Sequence, residues 1–361
     1  MRNFTVLKQK ADPPPYYMAY EVTEEESQII TTGLGSLLTN NKSHRRYLDI
    51  TVRVGTPKLD NYHNFLERRT RFTPGAALPL DDVPNAIRRV VWLETDRTYR
   101  AAARRLIEIK SNAQTQMAAE DQSDDFSAEK PVVHEEIPPR ARFSEGEWIA
   151  NLRRWSAELS KYDTVLSSGV TLVVNRETKY LVNTEGTKLE YGRTFTTLAI
   201  NARGKAPDGM DLIATQTFEA GEPDHLGTPQ AIQAAVNHVG QQLDDLMRAP
   251  VVEPFVGPAI LSGSAAGVFF HEIFGHRIEG HRQKEESEGQ TFTKSLNAPV
   301  LPDFLSVISD PTRKTLGAVD LNGWYDYDDE GVKGRPVTIV DDGILKTFLM
   351  SRTPIAGIEF S

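Results

Sequence analysis

His271-Glu272-Ile273-Phe274-Gly275-His276 sets two imidazoles, with a carboxylate directly after the first, inside an apolar segment that reads as a helix. Neutral imidazole is a common ligand for zinc and similar divalent ions. A carboxylate beside such an ion is the usual general base for its water. His281 follows closely, so three of the chain's eight histidines fall within eleven residues. Residues of these types at this spacing point to metal-assisted hydrolysis. The candidate ligands for such a divalent ion are His271 and His276, and the candidate base is Glu272.

The spacing departs from the common H-E-x-x-H pattern, whose histidines share one helix face. Five residues at about 100° each leave the two rings roughly 140° apart on a regular helix. A π-bulge would bring them together, and Gly275 would tolerate that distortion. The plainer alternative is a buried helix with two hydrogen-bonded histidines. Against it, Glu272 among Phe269, Phe270, Ile273 and Phe274 is costly to bury unless paired or near a cation. Glu279 lies three residues after His276 and reads either as the acid that orients it or as a solvated surface acid. His281 reads as a cation near a helix C-terminus or as a further ligand.

The elements that must position these groups can be read from periodicity. Leu48-x-Ile50-x-Val52-x-Val54 alternates as a strand, and Tyr16 to Thr31 also favours β structure. Asp96 to about Gln116 reads as a helix with Tyr99, Ala103, Leu106 and Ile109 on one face, followed by a polar, proline-containing excursion over about residues 117–141. Ser144 and Glu147 form a capping box ahead of Trp148, Leu152, Trp155 and Leu159. Gly169 to Phe218 reads as a meander turning at Asn175-Arg176 and Glu185-Gly186. Thr228-Pro229 opens a helix whose apolar face is Ile232, Val236, Val239, Leu243 and Leu246. Ala259-Ile260-Leu261 is expected as a short strand, and Ser264 as the N-cap of a histidine-bearing helix over Ala265–Glu279. Asp341-Asp342-Gly343 is expected as a tight hairpin turn. Asp326 to Glu330 begins like a calcium loop, but Val337 stands where the bidentate glutamate is required, so calcium is rejected. That acidic stretch reads as a solvated loop, or as a holder for a basic or N-terminal part of a substrate.

Composition bounds the class. With 361 residues the chain is long enough for two domains. A net charge of −9 argues against a nucleic-acid partner. No apolar run is long enough to span a bilayer, and the start lacks the apolar core of a signal peptide. The chain has no cysteine, which excludes internal disulfides and thiolate ligands. Cytoplasm is the default expectation.

Further landmarks are Tyr180-Leu-Val-Asn-Thr-Glu-Gly186, Gly257-Pro-Ala-Ile-Leu-Ser-Gly263, Ala265-Ala-Gly-Val-Phe-Phe ahead of His271, Tyr327-Asp-Asp-Glu-Gly331 and Ser351-Arg-Thr-Pro354; Asp49-Ile-Thr-Val-Arg-Val-Gly55 fits less specifically. With them, the chain resembles the TldD/PmbA family, on the TldD side. The resemblance implies an α+β fold of two domains, with mixed or antiparallel sheets and packed helices. Residues 1–249 would form an N-terminal domain, and 250–361 the first part of a C-terminal metallopeptidase domain that begins with the metal-binding helix. It also implies zinc (Zn2+) on the histidine pair, cleavage of small or unfolded peptides, and assembly with a PmbA/TldE-like partner subunit or as a homo-oligomer. The family's third ligand is a downstream cysteine, which this chain lacks. A fragment missing the C-terminal part, with little or no peptidase activity, is therefore expected. The rival expectations are a non-catalytic scaffold or assembly subunit, and a metal-dependent hydrolase of a non-peptide amide.

Overall fold

A computed structural model describes residues 1–63, 75–113, 121–284 and 290–358. A nine-residue helix, α1 (Arg2–Lys10), lies ahead of the prolines at 13–15. Two long strands, β1 (Pro15–Gly33) and β2 (Ser36–Thr56), form a hairpin. Short strands β3 (Leu59–Asp60) and β4 (Ala76–Ala77) pair with β2. Helix α2 (Pro84–Ala113) begins twelve residues before the expected Asp96, with proline at its first position, where the missing N–H costs nothing. The expected end of this helix near Gln116 lies outside the described residues, as does the start of the polar excursion.

That excursion is structured where it is described. Its strand β5 (Val133–Glu135) pairs in parallel with the start of β7, and Asp125 and Phe126 are buried. Helix α3 (Glu145–Glu158) follows Ser144, yet the Ser144 side chain makes no capping bond. Glu145 instead accepts from Asn40 and Lys42 of β2. Strands β6 (Ser167–Asn183), β7 (Lys188–Lys205) and β8 (Asp211–Ala220) complete an eight-stranded sheet of order β3-β2-β1-β6-β7-β5, with β4 on β2 and β8 on β7. The expected turn at Asn175-Arg176 is absent: β6 runs straight through, paired there with Ser27 and Glu26 of β1 and with Phe195 and Thr194 of β7. The turn at Glu185-Gly186 is present, with Gly186 at φ 107°. Helix α4 (Pro229–Arg248) starts as expected, the Thr228 hydroxyl accepting from the Ala231 N–H at 3.2 Å.

Strand alternation decides which residues meet the helices. Ile30, Leu172 and Leu198 face α3 and α4 through Leu152, Trp155, Val236 and Leu243. Met18, Tyr20 and Val52 face Leu106 of α2. The opposite face carries Leu181 and Leu189, and Tyr327 from the C-terminal part of the chain packs there.

The remaining elements are the histidine-bearing helix α5 (Gly263–Ile273), short strands β9 (Val307–Ser309), β10 (Thr315–Leu316) and β11 (Val319–Asp320), and a hairpin of β12 (Val337–Asp341) and β13 (Ile344–Leu345). Asp342 and Gly343, at φ 45° and 78°, make the expected tight turn. Ala259-Ile260-Leu261 is not a strand; it pairs with no strand among the described residues, and Ile260 is fully exposed. A second core of Phe274, Ile278, Ile339, Val340, Leu345 and Phe348 seats the segment that follows α5.

Candidate metal centre

The expected continuous helix over Ala265–Glu279 does not form. Its N-cap is Ser262 rather than Ser264, and α5 stops at Ile273. Phe274, at φ −126° and ψ −47°, breaks the spiral, and a 3-10 turn over Gly275–Ile278 follows. The device that joins the two histidines is therefore a helix break, and no π-bulge is involved. Phe274 and Ile278, on either side of the tightened turn, are only 3% and 4% exposed against the β12–β13 hairpin. Phe274 at the break and Ile278 at the end of the 3-10 turn both sit in this core and anchor the segment that carries His276. Gly275 has no left-handed backbone here. A Cβ on it would lie 3.4 Å from His271 Nδ1, an ordinary contact.

The break brings the two rings together, 4.4 Å between centroids and 68° between planes. Glu272 lies between them. Its Oε1 is 4.0 Å from His271 Nε2, and its Oε2 is 3.8 Å from His276 Nε2. One donor atom from each of these three residues lies within 4.8 Å of the others. The site is open to solvent, with His271 and Glu272 side chains about 60% exposed. Two imidazoles and one carboxylate converging in this way fit a zinc-type ion by donor chemistry and by proximity. A second trio, Glu24, Glu26 and His44, is equally close. Its carboxylates are already engaged, Glu24 by Arg46 and Glu26 by Arg176, so it offers less to a cation.

The remaining sequence candidates divide. Glu279 Oε1 meets His276 Nδ1 at 2.6 Å, so it is not a freely solvated acid. Its other oxygen accepts from Arg282 Nε at 2.7 Å and lies 3.4 Å from His281 Nε2. Partial burial works against its charge, but hydrogen bonds from Arg282 and His276 outweigh it and hold the carboxyl below the ordinary range. His281 stands beside Glu279 on a second 3-10 turn, Gly280–Lys284, outside the trio.

The acidic loop at Asp326–Glu330 is not a solvated one. Asp328 accepts from the backbone of Glu330 and Val332 at 2.9 and 2.8 Å, and burial pushes it up to about 6. Glu330 accepts from the Arg352 N–H at 2.7 Å. Sequence reading missed Arg352 itself. It is fully buried, donates twice to Glu185 at 2.7 and 2.8 Å, and stacks on Phe126, whose other face carries Arg53. The only signal was an arginine in a landmark run; nothing local marked it as a tether between distant segments.

Comparison with known proteins agrees with this architecture. Residues 256–356 match the sequence profile of the PmbA/TldA metallopeptidase C-terminal domain. A metalloprotease of Archaeoglobus fulgidus is 29% identical over 191 residues, which is 53% of this chain and 42% of that protein. A zinc metalloprotease TldD homolog of Saccharolobus solfataricus is 37% identical over 97 residues, 26% of this chain and 20% of that protein. The aligned part thus spans less than half the length of these curated relatives. The crystal structure of TldE from Thermococcus kodakarensis superposes with a TM-score of 0.57 at 15% identity, covering 92% of this chain and 66% of that one, and so shares its fold. Among the described residues no helix is long and apolar enough to cross a membrane. The histidine motif thus lies within the stretch that matches the PmbA/TldA metallopeptidase C-terminal domain, in a chain that shares the TldE fold.

Proposed function

We propose that this chain carries the zinc-binding part of a TldD-like peptidase site, built on residues 250–361. The convergence of His271, Glu272 and His276 around one point carries the reading. When bound, a zinc ion supplies Lewis acidity, which polarises a substrate carbonyl and acidifies water. His271 and His276 would hold the ion through ring nitrogens. Glu272, directly beside both rings, takes the proton from the attacking water and passes it to the leaving amine. The exposed, uncovered position of the trio admits an extended or unfolded peptide. Only three donor groups meet here among the described residues, and one of them is needed as the base. A catalytic zinc site takes three protein ligands plus water. We therefore expect weak zinc binding and little turnover from this 361-residue chain.

Zinc content and isothermal titration on wild type, His271→Ala and Glu272→Gln test the assignment. His271→Ala should abolish binding, and Glu272→Gln should keep it while removing any peptide cleavage. Loss of zinc in Glu272→Gln would make Glu272 a ligand, and identical zinc content in all three would overturn the site.

A second reading rests on a different observation. Helix α5 buries none of its residues, and Val256, Phe255, Ile260 and Phe269 around it are exposed. Apolar surface of this kind marks an interaction face. It favours an assembly role, with a PmbA/TldE-like partner or a second copy covering α5. Light scattering of wild type against Phe269→Glu, alone and mixed with a TldE-like subunit, tests this: a wild type that is monomeric alone and stays so in the mixture removes this second reading.

A further inference from the structure

We propose that Glu279 is the positioning residue of this site. Its carboxylate accepts a hydrogen bond from the Nδ1–H of His276 and thereby reserves Nε2, the nitrogen nearer Glu272, for a cation. An ionised carboxylate is acceptor-only, so the 2.6 Å contact requires the hydrogen on Nδ1. His276 Nε2 is 3.8 Å from Glu272, too far for a hydrogen bond, so no acceptor there competes for a proton on that nitrogen. Carboxylate partners of ligating imidazoles fix both tautomer and ring orientation in this way.

Glu279 is itself held from two sides. Its side chain is gripped by Arg282 Nε at 2.7 Å. Its backbone lies in a bridge with Leu349, where the Gly280 N–H donates to Leu349 O at 2.7 Å and the Leu349 N–H donates to Ile278 O at 2.8 Å. Gln283, 4% exposed, adds a bond to the Arg277 carbonyl at 3.1 Å across the same turn. The acid is thus fixed before any ligand arrives. The two imidazoles differ in this respect: among the described residues no carboxylate or carbonyl accepts from His271. The geometry makes His276 the preset ring and His271 the one that turns to complete the site.

This inference rests on the zinc reading above, but its central measurement does not. Long-range proton–nitrogen correlation spectra of the metal-free, histidine-labelled full chain, recorded at about pH 8 where imidazole is neutral, report the tautomer directly. His276 should be protonated at Nδ1 in wild type, and in Glu279→Ala should lose that preference. Zinc titrations should then show a 10–100-fold weaker affinity for Glu279→Ala, the range expected for an outer partner. Glu279→Gln, whose carbonyl oxygen still accepts from Nδ1–H, should recover most of it. A wild-type His276 protonated at Nε2, or unchanged zinc affinity in a folded Glu279→Ala, overturns the inference. If wild type binds no zinc, the function proposed above fails, and the tautomer in wild type alone decides the role of Glu279.

Discussion

Removing the Arg352 side chain should unfasten the C-terminal segments from the sheet. Arg352 is fully buried and makes a bidentate pair with Glu185 in the β6–β7 turn. It also donates to the Ser127 carbonyl at 2.6 Å, and its guanidinium lies 4.0 Å from the Phe126 ring. Deleting one member of a buried pair costs roughly 3–5 kcal/mol, because the partner charge is left uncompensated. The Glu185 side chain keeps 22% exposure, so water recovers part of that cost and the lower end applies. Loss of the stacked cation adds roughly 0.5–2 kcal/mol. Arg352→Ala should therefore destabilise by about 3.5–5 kcal/mol. For 361 residues melting together that corresponds to a shift of about 5–7 °C in calorimetry. Arg352→Lys keeps the charge but loses the fork and the stacking plane, and should fall in between. Glu185→Gln in the Arg352→Ala background should cost little more, because its partner is already gone. Hydrogen exchange should quicken over residues 121–127 and 349–356, which Arg352 joins through Ser127. A double-mutant cycle additive to within about 0.5 kcal/mol would refute the coupling.

Phe274→Ala should cost about 3–5 kcal/mol of the C-terminal core and release the turn that carries His276. Exchange protection over 337–349 should then fall, together with zinc uptake, while the β1–β8 sheet stays protected; unchanged protection at 337–349 would contradict the role given to the helix break. Burial among the strands pushes the Glu21 carboxyl up from 4.5 to about 7, with Lys179 partly opposing and Asp329 adding to the shift. The folded chain then holds a proton that the unfolded chain releases, so this group's contribution is fully present below about pH 4.5 and is lost as pH rises towards 7. Asp328, raised to about 6, acts in the same direction. Melting temperatures followed across that window should decline less steeply in Glu21→Gln, and an identical slope would refute the assignment.

The parts of this molecule legible from sequence are those written in short-range chemistry. The alternation at Leu48–Val54 needs only period-two side-chain placement, and the Thr228-Pro229 start needs only a hydroxyl three residues before a free N–H. Asp342-Gly343 adopts the left-handed backbone that its turn requires. Where tertiary partners competed with local preference, the reading failed. Asn175-Arg176 has turn-like composition, yet strands on both sides pair through it, and Arg176 donates to the Pro139 carbonyl. Ser144 and Glu147 match a capping box, yet the Ser144 hydroxyl makes no capping bond and nearby Glu145 serves β2. The acidic loop at Asp326–Glu330 looked solvated because nothing local shows that Tyr327 packs on Leu181 and Leu189, or that Glu330 meets Arg352.

Two imidazoles and an acid at an unusual spacing were enough, from the chain alone, to name a metal-type chemistry and the residues to suspect. Where those groups meet depends on the break at Phe274, a residue buried in a core with a hairpin some sixty residues downstream. Side-chain identity is local, but the backbone angle that aims a side chain is set by whichever distant surface removes the most apolar area from water.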